Sequence, residues 1–372
     1  MNRLVLVGNG FDLAHGLKTS YNDFILWYIK KCYVKAFDKG NYKDNVLEIN
    51  KNYQYNGTRI VDFDDVIEFI EASYKDGFTN LGQYLFNLGN DYSNRFPFHT
   101  QMNEFMKALL QNCSYTRWVD IEAEFYDQLK KILKKDDAVN VKEANLLDLN
   151  QTLKYIINQL KEYLQTLAPA QYNEEYMRIL TSNIIKTEVH GISIEVEEEP
   201  ENTLILNFNY TNSLNPYIGN YYRRSSRAVP NINYIHGQLG DKLNPLIFGF
   251  GDELDDDYLK MERERAKGYF DYIKSFWYFR TSNYRELTRF IESDTYQVYI
   301  LGHSCGLSDR TMLHMIFEHS NCKSIKIYYH GTKENNNYTA ITYDIARHFK
   351  NKEEMRNKIV SLDQSLNMPQ AT

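Results

Sequence analysis

The feature that most constrains the fold is a short apolar run near the N-terminus that stops at two glycines. Residues 4–7 (Leu-Val-Leu-Val) lead directly into Gly8-Asn9-Gly10. An apolar strand that enters a tight glycine turn is typical of a central strand in a parallel sheet. Such a strand needs partners on both sides, and runs of similar texture recur only after residue 200. The sequence therefore predicts a sheet that is assembled from distant parts of the chain.

The later apolar runs are separated by turns and helix-compatible stretches, an alternation typical of α/β domains. They lie at residues 204–206, 232–235, 246–248, 298–301 and 325–329. We predict a Rossmann-like, mostly parallel sheet that is formed by residues 1–24 together with residues 200–348. Residues 349–372 are then expected to form a C-terminal tail.

Residues 25–199 are predicted to be a mainly helical insertion after the first βα unit. Two sets of side chains recur there at spacings near 3.6 residues, which indicates helices that bury one face. They are Trp118, Ile121, Phe125, Leu129, Ile132 and Leu133, and then Leu149, Leu153, Ile156, Leu160, Leu164 and Leu167. Residues 39–57 are polar and rich in asparagine, which favours a solvated loop.

Charge and cysteine usage limit the classes of partner and the compartment. The 372 residues include 43 Lys and Arg against 49 Asp and Glu, a net charge of -6 that disfavours nucleic acid or an anionic membrane as a partner. No apolar run approaches the ~18 residues that a membrane-spanning helix needs. The four cysteines form no Cys-x-x-Cys pair, so we expect no zinc site and a reduced, cytoplasmic compartment.

The glycine turn is the first candidate binding motif. Glycines between a strand and a helix let backbone amides approach a phosphate, which makes Gly8, Asn9, Gly10 and Phe11 candidate nucleotide-binding residues. The spacing departs from G-x-G-x-x-G because position 13 is Leu, and an ordinary tight turn is the alternative. Asp12 would oppose a phosphate but can accept hydrogen bonds from ribose hydroxyls.

Two further motifs follow predicted strands. Asn207 and Asn209 come at the end of the run at 204–206, and open α/β sheets bind ligands at that edge. An asparagine there can hold a water or a ribose hydroxyl in a fixed orientation, although it can also simply form a turn. His236 ends the run at 232–235 and can exchange protons near neutral pH, with a structural histidine as the alternative.

The last motif is Gly302-His303-Ser304-Cys305-Gly306, a G-x-S-x-G sequence after an apolar run. It resembles the nucleophile elbow of α/β-hydrolases, so a serine hydrolase centred on Ser304 is a rival hypothesis. The acid and the histidine that it requires would have to come from the 68 residues that follow. Under a nucleotide-binding interpretation, Gly302, His303 and Ser304 instead bring backbone and hydroxyl groups to the ligand.

Other residue clusters are less specific. His314 and His319 miss the spacing of HExxH, so no metal site is predicted. In the WVDIE segment, Trp118 is expected to pack and either Asp120 or Glu122 to face the cleft. A basic cluster either contacts a phosphate or lies in a solvated loop; it consists of Arg223, Arg224 and Arg227. Three acidic residues are expected to cap a helix rather than to bind a metal: Asp255, Asp256 and Asp257.

Taken together, the motifs GNGFDLAHGLKTSYNDF, WVDIE, LNFNYTN, YIHG, IFGFGDE and LGHSCGLSD resemble the AbiH family of bacterial phage abortive-infection proteins over most of the chain. Their order also resembles, more distantly, the sirtuin-like NAD-binding fold. That resemblance implies that Asn209 contacts the NAD ribose and that His236 is the general base. It also implies that Gly302 and Ser304 lie on the adenosine side of the ligand.

The chain departs from the sirtuin pattern at Asp12, Phe208 and Thr211, and it lacks the zinc module. The resemblance therefore implies an antiphage enzyme that hydrolyses NAD and releases nicotinamide, rather than a protein deacylase. NAD would be the substrate, with no permanently bound cofactor. A phage component as trigger and a homo-oligomer are further expectations. The serine hydrolase and a nucleotide-binding sensor without turnover remain the alternatives.

Overall fold

A computed structural model describes residues 1–51, 98–116, 120–192, 197–221, 229–251 and 255–371. The chain divides into two compact units. One, here called the sheet unit, comprises Met1–Thr19, Thr166–Tyr258 and Tyr272–Thr372. The other, the helical unit, comprises Ser20–Gln165 and Leu259–Asp271. The domain limits predicted from the sequence, at residues 24, 199 and 348, stay a prediction.

The described strands, in chain order, are β1 (Asn2–Val7), β2 (Asn41–Lys43), β3 (Leu47–Lys51), β4 (Phe98–Met102), β5 (Ile184–Ile185), β6 (Glu197–Glu198), β7 (Thr203–Asn207), β8 (Asn231–Tyr234), β9 (Tyr296–Leu301), β10 (Cys322–Tyr329) and β11 (Leu366–Asn367).

The described α-helices are α1 (Asn9–Ala14), α2 (Tyr21–Lys39), α3 (Glu104–Thr116), α4 (Ile121–Lys134), α5 (Val139–Thr166), α6 (Glu174–Leu180), α7 (Asn215–Tyr221), α8 (Asp256–Arg263), α9 (Lys274–Trp277), α10 (Asn283–Ser293), α11 (Arg310–Glu318), α12 (Tyr338–Ala346) and α13 (Lys352–Lys358). Short 3₁₀ turns occupy Lys186–Glu188, Tyr278–Arg280 and Leu307–Asp309. None of these described helices is both long and apolar enough to cross a bilayer.

A six-stranded parallel sheet organises the sheet unit, in the order β11-β10-β9-β1-β7-β8. Every strand pairing in it is parallel. β1 lies in the middle, paired with β7 on one side and β9 on the other, and all six of its residues are buried. The predicted α/β class and the parallel sheet are therefore confirmed. The distant partners that β1 needs come from beyond residue 200.

The path of the chain through this sheet singles out one edge. From β1 the chain moves outward to β7 and β8, and it then returns beside β1 to form β9, β10 and β11. The loops after β1 and β9 therefore lead in opposite directions from neighbouring strands. In open parallel sheets, ligands bind in the crevice that opens at such a reversal, at the carboxyl ends of the strands.

Both faces of the sheet are covered, because alternate residues of a strand point to opposite sides. Leu4 and Leu6 of β1 pack with apolar side chains of α10, α11 and α12. Val5 and Val7 pack on the other face with side chains of α1, α6 and α7. Each buried side chain of this kind contributes about 1.5–3 kcal/mol to stability.

The helical unit contains α2–α5 and a small antiparallel sheet in the order β2-β3-β4. The two predicted helical patterns are confirmed by α4 and α5, whose apolar stripes are largely buried. The predicted loop at 39–57 is wrong for 41–43 and 47–51, which form β2 and β3 with Leu47 and Ile49 buried. Asp44 in the hairpin between them accepts three tyrosine hydroxyls, from Tyr28, Tyr42 and Tyr155. Residues 52–57 lie outside the described ranges.

Two further differences concern the sheet unit. The run at 246–248 is not a strand: it is extended along the loop that contains His236, where the Ile247 amide donates to the His236 carbonyl at 2.8 Å. Near the C-terminus, β11 extends the sheet, and Met368 is buried beneath it. The carbonyl of Pro369 accepts a hydrogen bond from the Tyr176 hydroxyl at 2.9 Å. The last residues therefore help to build the core of this unit.

Candidate functional site

Four loops meet at the carboxyl edge of the sheet, and together they contain most of the residues predicted to be functional. Gly8 follows β1, Asn209 comes two residues after β7, His236 two after β8 and His303 two after β9. Because β9, β1, β7 and β8 are successive neighbours and run parallel, their carboxyl ends lie side by side. The apolar runs that predicted these strands therefore also predicted which motifs come together.

The loops after β1 and β9 touch each other through their glycines. The Gly10 amide donates to the Gly302 carbonyl at 2.9 Å. A Cβ on Gly302, whose φ is +74°, would lie 2.2 Å from the Phe11 nitrogen, and one on Gly8 would lie 2.6 Å from the His303 Cα. Only glycine allows the two backbones to approach this closely.

The backbone amides of Gly8, Gly10 and Phe11 already donate to carbonyls within the chain. Gly8 donates to the Leu301 carbonyl at 3.1 Å, and Phe11 donates to the Gly8 carbonyl at 2.9 Å. The Phe11 side chain is fully buried and packs on Tyr176 with 4.8 Å between ring centroids. Asn9, in contrast, is half-buried at the start of α1. The turn therefore has a packing role, and nucleotide binding by its residues stays a prediction.

Asn209 and Asp12 form the first polar group of the site. The Asn209 side-chain nitrogen donates to the Gly8 carbonyl at 3.0 Å and to Asp12 Oδ1 at 2.9 Å, and Thr211 donates to Asp12 Oδ2 at 2.5 Å. The Asn209 amide group is thus held at its nitrogen end. Among the described residues, no hydrogen bond reaches its side-chain oxygen.

Burial controls the state of Asp12. The carboxyl is 1% exposed, and burial raises its pKa to about 6 against the opposing hydrogen bonds from Ser213, Thr211 and Asn209. The side-chain oxygen of Asn207 accepts a hydrogen bond from the backbone amide of Asn209 at 3.1 Å. Its own side-chain nitrogen is buried without a hydrogen-bond partner. The Asp12 carboxylate therefore faces Asn209 rather than the solvent, and it acts on the site by holding the Asn209 side chain.

His236 and Asp309 form the second polar group, together with Lys274. His236 Nε2 lies 3.1 Å from Asp309 Oδ1, and Lys274 Nζ donates to the same oxygen at 3.1 Å. Burial opposes ionisation of Asp309, but Lys274 and the neighbouring histidines outweigh it and hold the pKa of the carboxyl well below its usual range. The pKa of His236 is lowered by burial and then by Lys274. The result is a neutral imidazole beside an ionised carboxylate.

His303 lies on the other side of Asp309. Its Nδ1 accepts from the Cys305 amide at 3.0 Å, and its Nε2 is 3.8 Å from Asp309 Oδ2. Burial lowers the pKa of His303 to about 4, so the ring is neutral and carries its hydrogen on Nε2. Phe208 contacts both histidines, with ring centroids 4.1 Å from His303 and 5.1 Å from His236. This phenylalanine links the second polar group to its neighbour Asn209.

The geometry around Ser304 gives the serine hydrolase hypothesis no catalytic partner. Ser304 is exposed, and no hydrogen bond joins its hydroxyl to a histidine or carboxylate among the described residues. Within the described part of the chain, the non-glycine residue with positive φ is Cys305, at +56°, whereas a nucleophile elbow strains the serine itself. Cys305 is buried, and burial raises the pKa of its thiol. His348 Nε2 donates to the Cys305 carbonyl at 2.7 Å, so it supports the loop.

Sequence reasoning missed the partners of His236. Asp309 lies within the 68 residues considered for the partners of Ser304, and no role beside His236 was predicted for it. Lys274 and Tyr278 were not considered. One indication is present in the sequence: Lys274 stands beside apolar and aromatic residues in the segment Ile273-Lys274-Ser275-Phe276-Trp277, a place where a charge needs a partner.

The remaining candidate residues have simpler roles or lie outside the described ranges. Asp120 caps α4 by accepting from the Ala123 amide at 2.9 Å, and Glu122 is buried. Asp255 accepts from the Tyr258 amide at 2.7 Å at the start of α8, as predicted for a cap. Trp118 and the basic cluster Arg223, Arg224 and Arg227 lie outside the described residues.

Comparison with known proteins identifies a family for the chain. The family model described as "Bacteriophage abortive infection AbiH" matches residues 4–330 of the 372, a range that includes all four loops. No curated protein and no solved structure matches the chain. Because the family model covers most of the sequence, the chain belongs to the bacteriophage abortive infection AbiH family.

Proposed function

We propose that this AbiH-family chain is an antiphage enzyme that binds NAD at the carboxyl edge of its sheet and hydrolyses the N-glycosidic bond to nicotinamide. The observation that carries the proposal is the neutral His236, held by the Asp309 carboxylate, at the end of the strand next to the one that leads to the fixed side-chain amide of Asn209. Counted within the sheet, the strand order is 3-2-1-4-5-6, the order of Rossmann sheets that bind dinucleotides. The sirtuin-like motif order supports the same ligand.

The proposed reaction uses water as the nucleophile. Its oxygen bonds to the anomeric carbon of the ribose as the bond to nicotinamide breaks, and nicotinamide leaves as a neutral base. The water proton passes to His236, whose neutral ring is a competent general base. Asn209 presents its free side-chain oxygen to the water or to a ribose hydroxyl, and Asp12 keeps that amide in place.

We assign to the other predicted residues a role in binding the rest of the nucleotide. Asn9 and Ser304 retain accessible side chains at the mouths of the loops after β1 and β9. The backbones of Gly8, Gly10 and Gly302 set the spacing between these loops. A phage component is proposed as the trigger that releases activity, since constant NAD loss would harm the host.

The test follows NAD and nicotinamide by mass spectrometry, in buffer and in lysate of phage-infected cells. The full chain is compared with Asn209→Ala, His236→Ala and the control His190→Ala, which changes an exposed histidine whose amide bonds to the Lys323 carbonyl near the amino end of β10, away from the four loops. We expect nicotinamide release by the wild type and by the control, and a loss of at least about 100-fold in both site variants. Unchanged release by either site variant would show that the assigned roles are wrong.

A further inference from the structure

Lys274 is a buried charge that the reaction as written does not use. Its side chain is 2% exposed, on the short helix α9, and its ammonium lies 3.1 Å from Asp309 Oδ1. An isolated ammonium in the interior is expensive, and a carboxylate partner offsets this cost. A hydrophobic residue of similar length would fill the space without that cost, so the position calls for a role that needs the charge.

The geometry connects this charge to the proposed base. Lys274 Nζ and His236 Nε2 converge on one oxygen of one carboxylate, each at 3.1 Å. Asp309 is ionised and can only accept hydrogen bonds, so it favours a hydrogen on the Nε2 of His236 that faces it. If Lys274 were absent, the same carboxylate would favour a second proton on the His236 ring.

The described titratable groups that face His236 fit this arrangement. Asp309 comes from the 3₁₀ turn at Leu307–Asp309, Lys274 from α9, and Tyr278 from the next turn, with its hydroxyl 3.1 Å from Nε2. His303 adds a neutral ring beyond Asp309, and a hydrogen bond with the Phe208 backbone also acts on the His236 ring. Among these groups, Lys274 brings the positive charge and Asp309 the negative charge.

We infer that Lys274 is a positioning residue that keeps His236 an unprotonated base, by placing its positive charge on the shared oxygen of Asp309. It acts through Asp309 and His236 and touches no substrate in this role. As an aid to hydrolysis the inference rests on the proposed function, but the ionisation of His236 can be measured without any substrate.

The experiment is a pH titration of the full chain labelled with ¹⁵N-histidine, read by NMR, with His236→Gln used to assign the signal. In the wild type, the midpoint for His236 should lie below the ordinary value of about 6.5. In Lys274→Gln it should rise by more than one pH unit, because Asp309 is left to pair with the ring alone. Lys274→Arg keeps the charge and should keep the wild-type midpoint.

Lys358→Gln is the matched control, since Lys358 is also a buried lysine but donates to the carbonyls of Phe317 and His319. It should leave the His236 midpoint in place. An unmoved midpoint in folded Lys274→Gln overturns the inference. If that variant does not fold, the wild type and Lys274→Arg decide, and a midpoint at or above 6.5 in either overturns it.

Activity measured in parallel separates the two proposals. If NAD is hydrolysed, the acid limb of kcat/KM for Lys274→Gln should move upward with the NMR midpoint, while activity well above that midpoint is retained in part. A shifted midpoint without nicotinamide release from any form would overturn the proposed function and leave the role of Lys274 standing. Release with an unshifted midpoint would do the reverse.

Discussion

At the scale of single residues, the site contains buried charges, and hydrogen bonds or ion pairs offset their cost to different extents. Asp12 is only partly compensated, because no cation is among the groups that set its pKa and only hydrogen bonds stabilise its charge. Its pKa of about 6 in the folded chain lies above the ordinary value of 3.8. The folded state therefore binds more protons between these values, and the ionised carboxylate lowers stability at pH 7.

Replacement Asp12→Asn should remove this penalty. A shift of about two pKa units corresponds to about 3 kcal/mol, from which the weakened hydrogen bond from Thr211 subtracts about 1 kcal/mol. We expect the variant to be more stable than the wild type by about 2 kcal/mol at pH 7.5, as measured by urea unfolding. The gain should shrink as the pH falls towards 4, where the wild-type carboxyl is protonated.

Glu334→Gln, which neutralises an exposed carboxylate, is the control and should change stability by less than about 0.5 kcal/mol at both pH values. A gain for Asp12→Asn that is the same at pH 7.5 and pH 4 would contradict the assigned pKa.

The sequence identified Asn209, His236 and the glycines correctly as loop residues at one edge, because apolar runs before them mark strand ends. It did not reveal that Gly8, Gly10 and Gly302 fill one another's space, since the same residue type serves both a bound phosphate and a second backbone. The pairing of Lys274 with Asp309 could not be predicted, because the two residues are 35 positions apart and are brought together only by the fold.

At the scale of elements, the contact between the loops after β1 and β9 is a structural requirement that can be tested alone. Gly302→Ala places a methyl group 2.2 Å from the Phe11 nitrogen and forces alanine to φ +74°. The conformation costs about 1–2 kcal/mol and the overlap a further 1–3 kcal/mol or so. We expect a total loss of roughly 3 kcal/mol in the free energy of unfolding.

Gly240→Ala separates these two causes. Gly240 has φ +86°, but a Cβ there meets no atom within 4 Å. It should therefore cost only the conformational part, about 1–2 kcal/mol. Equal losses for the two variants in urea unfolding would show that the loops are able to separate and that their contact is not tight.

The last strand provides a second test, in a segment that the sequence indicated only as a tail. Met368→Ala removes a side chain that is 4% exposed in the core of the sheet unit and should cost about 2–5 kcal/mol. Leu366→Ala, two residues earlier and 54% exposed, should change stability by no more than about 0.5 kcal/mol. Similar small effects of both on thermal unfolding would mean that β11 is dispensable.

The strands themselves show where pattern reasoning succeeds and fails. Four of the five later apolar runs are strands, since continuous apolar residues suit a sheet that is covered on both faces. The run at 246–248 fails because its backbone bonds to the loop at His236 instead of to a ladder. β3 was missed because its two buried residues, Leu47 and Ile49, alternate with polar ones in an asparagine-rich segment, and β11 because it has only two residues.

At the scale of the whole molecule, the central strand comes first in the chain and pairs with strands that are about 200 residues or more away in sequence. This arrangement was predictable, because no earlier segment offers a comparable apolar run. It brings the loops after β1 and β9, which both lie within the range of the AbiH family match, into contact at one edge. The net charge of -6 suits a substrate that is recognised by a few fixed groups rather than by a broad basic surface.

We propose that this edge cleaves NAD at the bond to nicotinamide. A full product analysis of NAD incubated with the purified chain and infected-cell lysate, with His236→Gln in parallel, tests this reaction. We expect nicotinamide and ADP-ribose in equal amounts from the wild type and neither from the variant. Intact NAD in every condition, or nicotinamide mononucleotide with AMP as the products, would contradict it.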